Sequence, residues 1–127
     1  LRGRVTFRGY VSKAEQPEIY RRCHLFVLAS SLDGWGMVIP EALAAGLPVI
    51  STTAPEAAPA LLGDERAGLL MPPDDWRAVA AAMERLIDDH KLRGEMSRAA
   101  REVALRSDAG VVAAECARVL RRVSADA

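Results

Sequence analysis

The sequence carries no surplus charge of either sign. Seventeen Lys and Arg stand against seventeen Asp and Glu. That excludes recruitment to nucleic acid or an anionic membrane by overall charge, so any bound anion must be held by local geometry. Cysteine is confined to Cys23 and Cys116, with no C-x-x-C spacing. This excludes a disulfide scaffold and points to a reduced, buried pair in a cytoplasmic protein. The two histidines, His24 and His90, lie far apart, and no metal-ligating set is expected. His24, inside "CHLFVLA", fits the end of an apolar strand. Long hydrophobic runs are also missing. The longest uncharged stretch, Ala42 to Pro55, is interrupted by Gly46 and Pro48 and is too short to span a bilayer. No secretory leader opens the chain, and "LRGRVTF" has no initiator methionine, as expected of a fragment or a processed chain.

What is present is enough for one domain. The chain has 127 residues, half of them hydrophobic. Short apolar runs alternate with helical patterns. "RVTFRG" has the alternation of a strand, with Val5 and Phe7 on one face, ended by Gly9. "KAEQPEIYRRC" fits a short helix with Pro17 in its first turn. "HLFVLAS" is a near-continuous apolar run, as in a strand buried on both faces. A helix through "IPEALAAG" follows, then a buried strand "LPVIST". "PEAAPALLG" is expected as a loop with at most a short helix, and "AGLLMP" as another strand. "DDWRAVAAAMERLIDD" begins at an Asp74 or Asp75 cap, with Val79, Met83, Leu86 and Ile87 at helical spacing. Two further helices are expected in "KLRGEMSRAAREVALRS" and "DAGVVAAECARVLRRVS". The last carries Val112, Cys116, Val119, Leu120 and Val123 on one stripe, a candidate surface for self-association. The basic residues of this tail alternate with acids and fit solvated helix faces. The pattern predicts a three-layer α/β/α unit of Rossmann-like type with about four short parallel strands. It forms one partial domain over 1–127, helical from 75 onward.

The chemistry concentrates in "SLDGWGMVIPEALAAGLP". It lies at the carboxyl end of a predicted parallel strand, where open α/β sheets bind ligands. Gly34 and Gly36 allow close backbone approach. The next helix starts near Met37, and the N–H groups of Met37, Val38 and Ile39 have no helical acceptor there, which suits a phosphate or diphosphate. Glu41 sits in the first turns, where it favours the helix dipole or accepts hydrogen bonds from ribose hydroxyls. Asp33 caps local N–H groups or accepts from sugar hydroxyls. Local chemistry leaves both pairs of readings open. A third glycine is lacking, so this is not the dinucleotide fingerprint.

Taken together, "VTFRGYV", "LFVLASSLDGWGMVIPEALAAGLPVIST" and "AGLLMPPDDWRAVAAAM" resemble the C-terminal, donor-binding domain of retaining GT-B glycosyltransferases of the family 4, or group 1, type. The resemblance runs from Val5 to about Arg101. It implies a nucleoside diphosphate sugar as donor substrate, no further cofactor, no metal ligand, and an N-terminal acceptor domain outside this segment. The family's motif is two glutamates with seven residues between them. By resemblance Glu41 matches the second, which binds ribose hydroxyls, and Asp33 falls at the first, which contacts the donor sugar. These two are the catalytic candidates. Gly34, Trp35 and Gly36 match the turn facing the donor sugar, Met37 and Val38 the amides facing the diphosphate or ribose, and Ser30 the serine before the motif. Gly9, Tyr10 and Val11 fall where the family lines the base pocket.

The sequence departs from the family in four places, one of them His24, which replaces a commonly acidic position beside the buried strand. Asp33 replaces glutamate and shortens the reach by about 1.5 Å at most. "TAPEAAP" replaces two glycines and an acid, which stiffens that loop. The basic pair that holds the leaving diphosphate matches nothing in Leu1 to Val11. The resemblance therefore implies transfer of a sugar to an acceptor hydroxyl with retention by a longer, cytoplasmic protein, including one at the cytoplasmic face of a membrane. This chain alone is expected to be inactive. The alternatives on the same scaffold are a non-catalytic interaction domain and another sugar-nucleotide enzyme of epimerase or phosphorylase type.

Overall fold

A strand exists only where a neighbour takes up its backbone N–H and C=O groups, and that requirement decides the first element. The computed structural model describes residues 4–108, 110–114 and 116–118. Within them the expected strand around Val5 and Phe7 does not form. Phe7 is 94% exposed, and the described sheet has three strands rather than four. The Val–Phe alternation is there, but no described strand pairs with it.

The chain first becomes regular at α1 (Gln16–Arg21), with Pro17 in its opening turn. Just before it, the Ser12 N–H and Oγ both donate to Glu15 Oε2, at 3.1 and 2.5 Å. The Glu15 N–H donates back to Ser12 O at 3.0 Å. The spacing S-x-x-E is that of a capping box, and it closes the turn leading into the helix.

Three parallel strands follow: β1 (Phe26–Leu28), β2 (Val49–Thr52) and β3 (Gly68–Met71), in the order β1-β2-β3. Register pairs Phe26 with Val49 and Val49 with Gly68. The expectation for "HLFVLAS" is corrected here. β1 is an edge strand and only half-buried, whereas all four residues of β2 are buried. An edge strand has one lateral neighbour, so its apolar run is only partly covered.

Between the strands lie α2 (Val38–Ala44) and α3 (Ala57–Leu62), then α4 (Trp76–Asp88) and α5 (His90–Arg106). The period-2 alternation of β2 splits the core in two. Val49 packs with Ile39, Leu43, Leu62 and Ala100 on one face. Ile50 packs with Leu69, Leu86 and Met96 on the other. This is the expected three-layer α/β/α arrangement, with α5 contributing to both faces.

The helix ends follow local chemistry. Asp75 caps α4 by accepting from Ala78 N–H at 2.9 Å, and Asp89 caps α5 through Leu92 N–H at 2.8 Å. α2 ends in a Schellman motif. Leu47 N–H reaches Ala42 O at 3.0 Å and Gly46 N–H reaches Leu43 O at 2.9 Å, with Gly46 at φ +77°.

Several expectations about burial change. Ile87, placed on the apolar stripe of α4, is 52% exposed, while Ala82 and Leu86 take the buried positions. Residue 87 lies about 100° around the helix from Leu86, which turns it off the buried face. Cys23 and Cys116 are both exposed, not buried. Residues 110–114 and 116–118 are helical, with Val112 half exposed. Val119, Leu120 and Val123 lie outside the described residues.

Candidate functional site

The loop Ser30–Gly36 leaves the carboxyl end of β1, and β2 fixes its start. Ser51 Oγ donates to Leu28 O at 3.3 Å, and Thr52 Oγ1 donates to Ser30 O at 2.5 Å. The far side of the loop is tied to the segment opening α3. Glu56 N–H donates to Gly34 O at 3.1 Å, and Ala57 N–H to Trp35 O at 2.9 Å.

Gly36 is buried at φ +81°, and a Cβ there would lie 2.7 Å from Pro55 Cβ. A side chain is therefore excluded twice, by backbone conformation and by space. Gly34 has nothing within 4 Å of the same construction. Pro55, one of the departures from the family pattern, is the residue against which the turn is packed. That departure is thus part of what holds the turn.

At the start of α2, Met37 makes no side-chain cap. Ile39 N–H donates to Gly36 O at 2.9 Å, which removes it from the set expected to face a ligand. The N–H groups of Met37 and Val38 have no acceptor among the described residues. Trp35 and Met37 are exposed beside them, so the turn carries an apolar rim at its mouth.

Glu41, in the first turn of α2, is half-buried, and Tyr20 Oη donates to its Oε2 at 3.3 Å. The Tyr20 ring stands edge-on to Phe26, with centroids 6.0 Å apart and planes at 81°. Burial, followed by the Glu41 charge and this hydrogen bond, pushes the Tyr20 phenol above its ordinary pKa. It therefore stays a donor at neutral pH and takes up one oxygen of Glu41. Glu41 lines a groove of roughly 440 Å³ between α1 and α2, with Lys13, Gln16, Pro17 and Tyr20.

The other expected positions are more dispersed. Ser30 Oγ lies 3.5 Å from Asp33 Oδ2, at the limit of a hydrogen bond. Asp33 caps no backbone N–H among the described residues. Gly9 takes φ +63°, and Tyr10 and Val11 line a separate depression with Glu15 and Arg22. The sequence reading missed Tyr20, the partner of Glu41, and Thr52, which anchors the loop. Asp74, one of the two cap candidates for α4, leaves the cap to Asp75 and accepts from Ser31 Oγ through its carboxylate. A tyrosine on a short amphipathic helix was the available signal, since a half-buried phenol needs a polar partner. Among the described residues no cluster of His, Cys, Asp and Glu could hold a metal ion, and no helix is long and apolar enough to cross a membrane.

Fold and turn together define a Rossmann-like α/β domain whose structural neighbours are GT-B glycosyltransferases. The chain belongs to the glycosyl transferases group 1 family, whose model matches residues 1–103. It is 35% identical over 126 residues to the phosphatidyl-myo-inositol mannosyltransferase of Mycolicibacterium smegmatis, covering 98% of this chain and 32% of that protein. It is 32% identical over 91 residues to an O-antigen chain mannosyltransferase B of Escherichia coli, covering 72% and 23%. Among solved structures, a sucrose-phosphate synthase from Thermosynechococcus elongatus superposes with a TM-score of 0.80 at 27% identity, over 98% of this chain and 31% of that one. The C-terminal domain of a group 1 family protein from Francisella tularensis superposes with a TM-score of 0.71 at 31% identity, over 78% and 51%. The chain thus spans a third or less of the curated relatives it matches here.

Proposed function

We propose that this chain is the donor-binding part of a glycosyltransferase. The whole protein moves a sugar from a nucleoside diphosphate to an acceptor hydroxyl with retention of configuration. The observation that carries this is the locked turn at Gly36, which leaves the Met37 and Val38 N–H groups open beside Glu41. Two unpaired amides at a helix start favour diphosphate oxygens. Glu41, with one oxygen held by Tyr20, accepts hydrogen bonds from the two ribose hydroxyls at its other lone pairs.

Asp33 contacts hydroxyls of the donor sugar, and the amides of the Gly34–Gly36 turn lie along its other side. Gly9, Tyr10 and Val11 contribute to the base site, and Ser30 orients Asp33. In a retaining transfer the acceptor attacks on the face from which the nucleoside diphosphate departs. The acceptor domain and the cations that stabilise the leaving group come from elsewhere in the longer protein. The isolated chain therefore binds donor but turns over little. The protein works in the cytoplasm.

The Asp33 assignment separates the sugar from the rest of the donor. In calorimetric titrations of the longer protein, Asp33→Ala is expected to lower affinity for the nucleoside diphosphate sugar by about tenfold, one charge-assisted hydrogen bond. Affinity for the nucleoside diphosphate alone stays near wild type. An equal loss for both ligands would remove Asp33 from the sugar.

A further inference from the structure

The sign-mixed tail of the sequence is sorted in space. On one side of α5, Glu95, Arg98 and Glu102 gather with Glu65 and Arg66, and Arg66 is paired with Glu102 at 2.9 Å. On the other, His90, Arg93, Ser97 and Arg101 face the end of α1 and the turn after α2. There they meet Arg21 and His24 across a cleft of roughly 430 Å³ in which no lining residue is acidic. Arg21 is paired with Glu18, so Arg93 and Arg101 are the cations of the cleft without an acidic partner among the described residues.

The cleft lies away from the glycine turn. Cys23 and His24 precede β1, and Gly46 and Leu47 precede β2, so it opens at the amino ends of the strands. The turn sits at the carboxyl end of β1.

Its walls are fixed. Arg93 Nη1 donates to the terminal carbonyls of α4, Leu86 O at 2.7 Å and Ile87 O at 3.0 Å, and its Nη2 lies 3.0 Å from His90 Nδ1. Ser97 Oγ donates to Gly46 O at 2.7 Å, pinning α5 to the turn. The Arg101 guanidinium lies over Gly46, where a Cβ would come within 2.5 Å of Cζ. The same missing side chain that permits φ +77° thus makes room for a cation. Arg101 forms no ion pair among the described residues, and its one polar contact there is Ser97 Oγ at 3.5 Å. Acids next to the lining residues are engaged elsewhere, Glu41 accepting from Tyr20 Oη. Glu18 pairs with Arg21 at the rim, and Asp89 accepts from Leu92 N–H.

We propose that this cleft is a second, anion-binding site that takes a phosphate group, with Arg101 as its principal donor and Arg21, His24 and Arg93 around it. A rigid guanidinium with free N–H groups matches phosphate oxygens in pairs. The phosphate can belong to a soluble anion or to a lipid headgroup. The proposal does not depend on the nucleotide-sugar reading of the glycine turn.

His24 and His90 both line this cleft and can report on its occupancy. Inorganic phosphate is titrated into the longer protein at fixed pH and low salt while the assigned His24 and His90 ring resonances are followed by NMR. Both are expected to shift saturably. Arg101→Gln should weaken binding by about tenfold, the loss of a charge-assisted bidentate contact. Arg21→Gln, on an exposed side chain, should weaken it less, and Arg98→Gln, on the opposite side of α5, should leave it unchanged. The same variants are then sedimented with phosphatidylcholine vesicles with and without phosphatidic acid. Binding to the acidic vesicles that Arg101→Gln lowers identifies a headgroup phosphate. Saturation with inorganic phosphate alone identifies a soluble anion. Non-saturating histidine shifts without acid-dependent vesicle binding, or equal effects of Arg98→Gln and Arg101→Gln, would overturn the proposal.

Discussion

Two glycines two positions apart carry different weights. Gly36 is enclosed and left-handed, whereas a Cβ at Gly34 meets nothing within 4 Å. Gly36→Ala is therefore expected to cost about 1–3 kcal/mol or more, since it adds backbone strain to a contact with Pro55 that must yield. Gly34→Ala should change stability little. Urea denaturation of both variants checks this, and equal midpoints would contradict it. In the sequence the two glycines look alike, because Pro55 stands nineteen positions from Gly36 and only the fold brings them together. Tyr20 and Glu41 are another such pair, 21 residues apart. The Tyr20 phenol has a folded pKa above its ordinary value of 10.0. A raised folded pKa gives stability that is fully present below the unfolded value and is lost as pH rises through the folded one. Tyr20→Phe should therefore lose less stability than wild type between neutral pH and the alkaline range above 10. Thermal melts across that range test this, and parallel declines would contradict it.

At the scale of elements, what is local in origin could be read in advance and what depends on a neighbour could not. β2 was legible because both its faces are covered and Pro48 brackets it, and the Asp caps of α4 and α5 follow from short-range chemistry. The Ser12–Glu15 turn in "SKAE" was also available in four residues. The segment around Val5 and Phe7 has the same alternation as a strand, yet pairing is a property of two segments. β1 has the apolar run of a central strand and sits at an edge for the same reason. On α4, helical spacing alone could not decide whether the stripe runs through Ala82 and Leu86 or drifts to Ile87. Leu86→Ala should cost about 2–5 kcal/mol, as a fully buried side chain leaves a cavity. Ile87→Ala should cost well under half of that. Chemical denaturation of the pair tests the assignment, and the reverse order would place α4 wrongly on the sheet.

For the molecule as a whole, the sheet separates two kinds of surface. The carboxyl end of β1 bears a glycine-locked turn flanked by Asp33 and Glu41, and the amino ends of β1 and β2 bear a cationic cleft. Balanced composition concealed both, since seventeen charges of each sign say nothing about where they gather. The resemblance to group 1 glycosyltransferases was legible in the order of residues from Asp33 to Pro48, and family membership agrees with it. The groove of Glu41 and its Tyr20 partner emerged only with the helix packing.

The central claim is that Glu41 and the turn before it hold a nucleoside diphosphate. Calorimetric titration of nucleoside diphosphates, each as the ribose and 2′-deoxyribose form, into the longer protein tests it most directly. Glu41→Ala is expected to weaken the ribose form by about 10–100-fold, the range for hydrogen bonds to a charged group, and to erase the preference over the deoxy form. Unchanged affinity for the ribose form in Glu41→Ala would contradict the account.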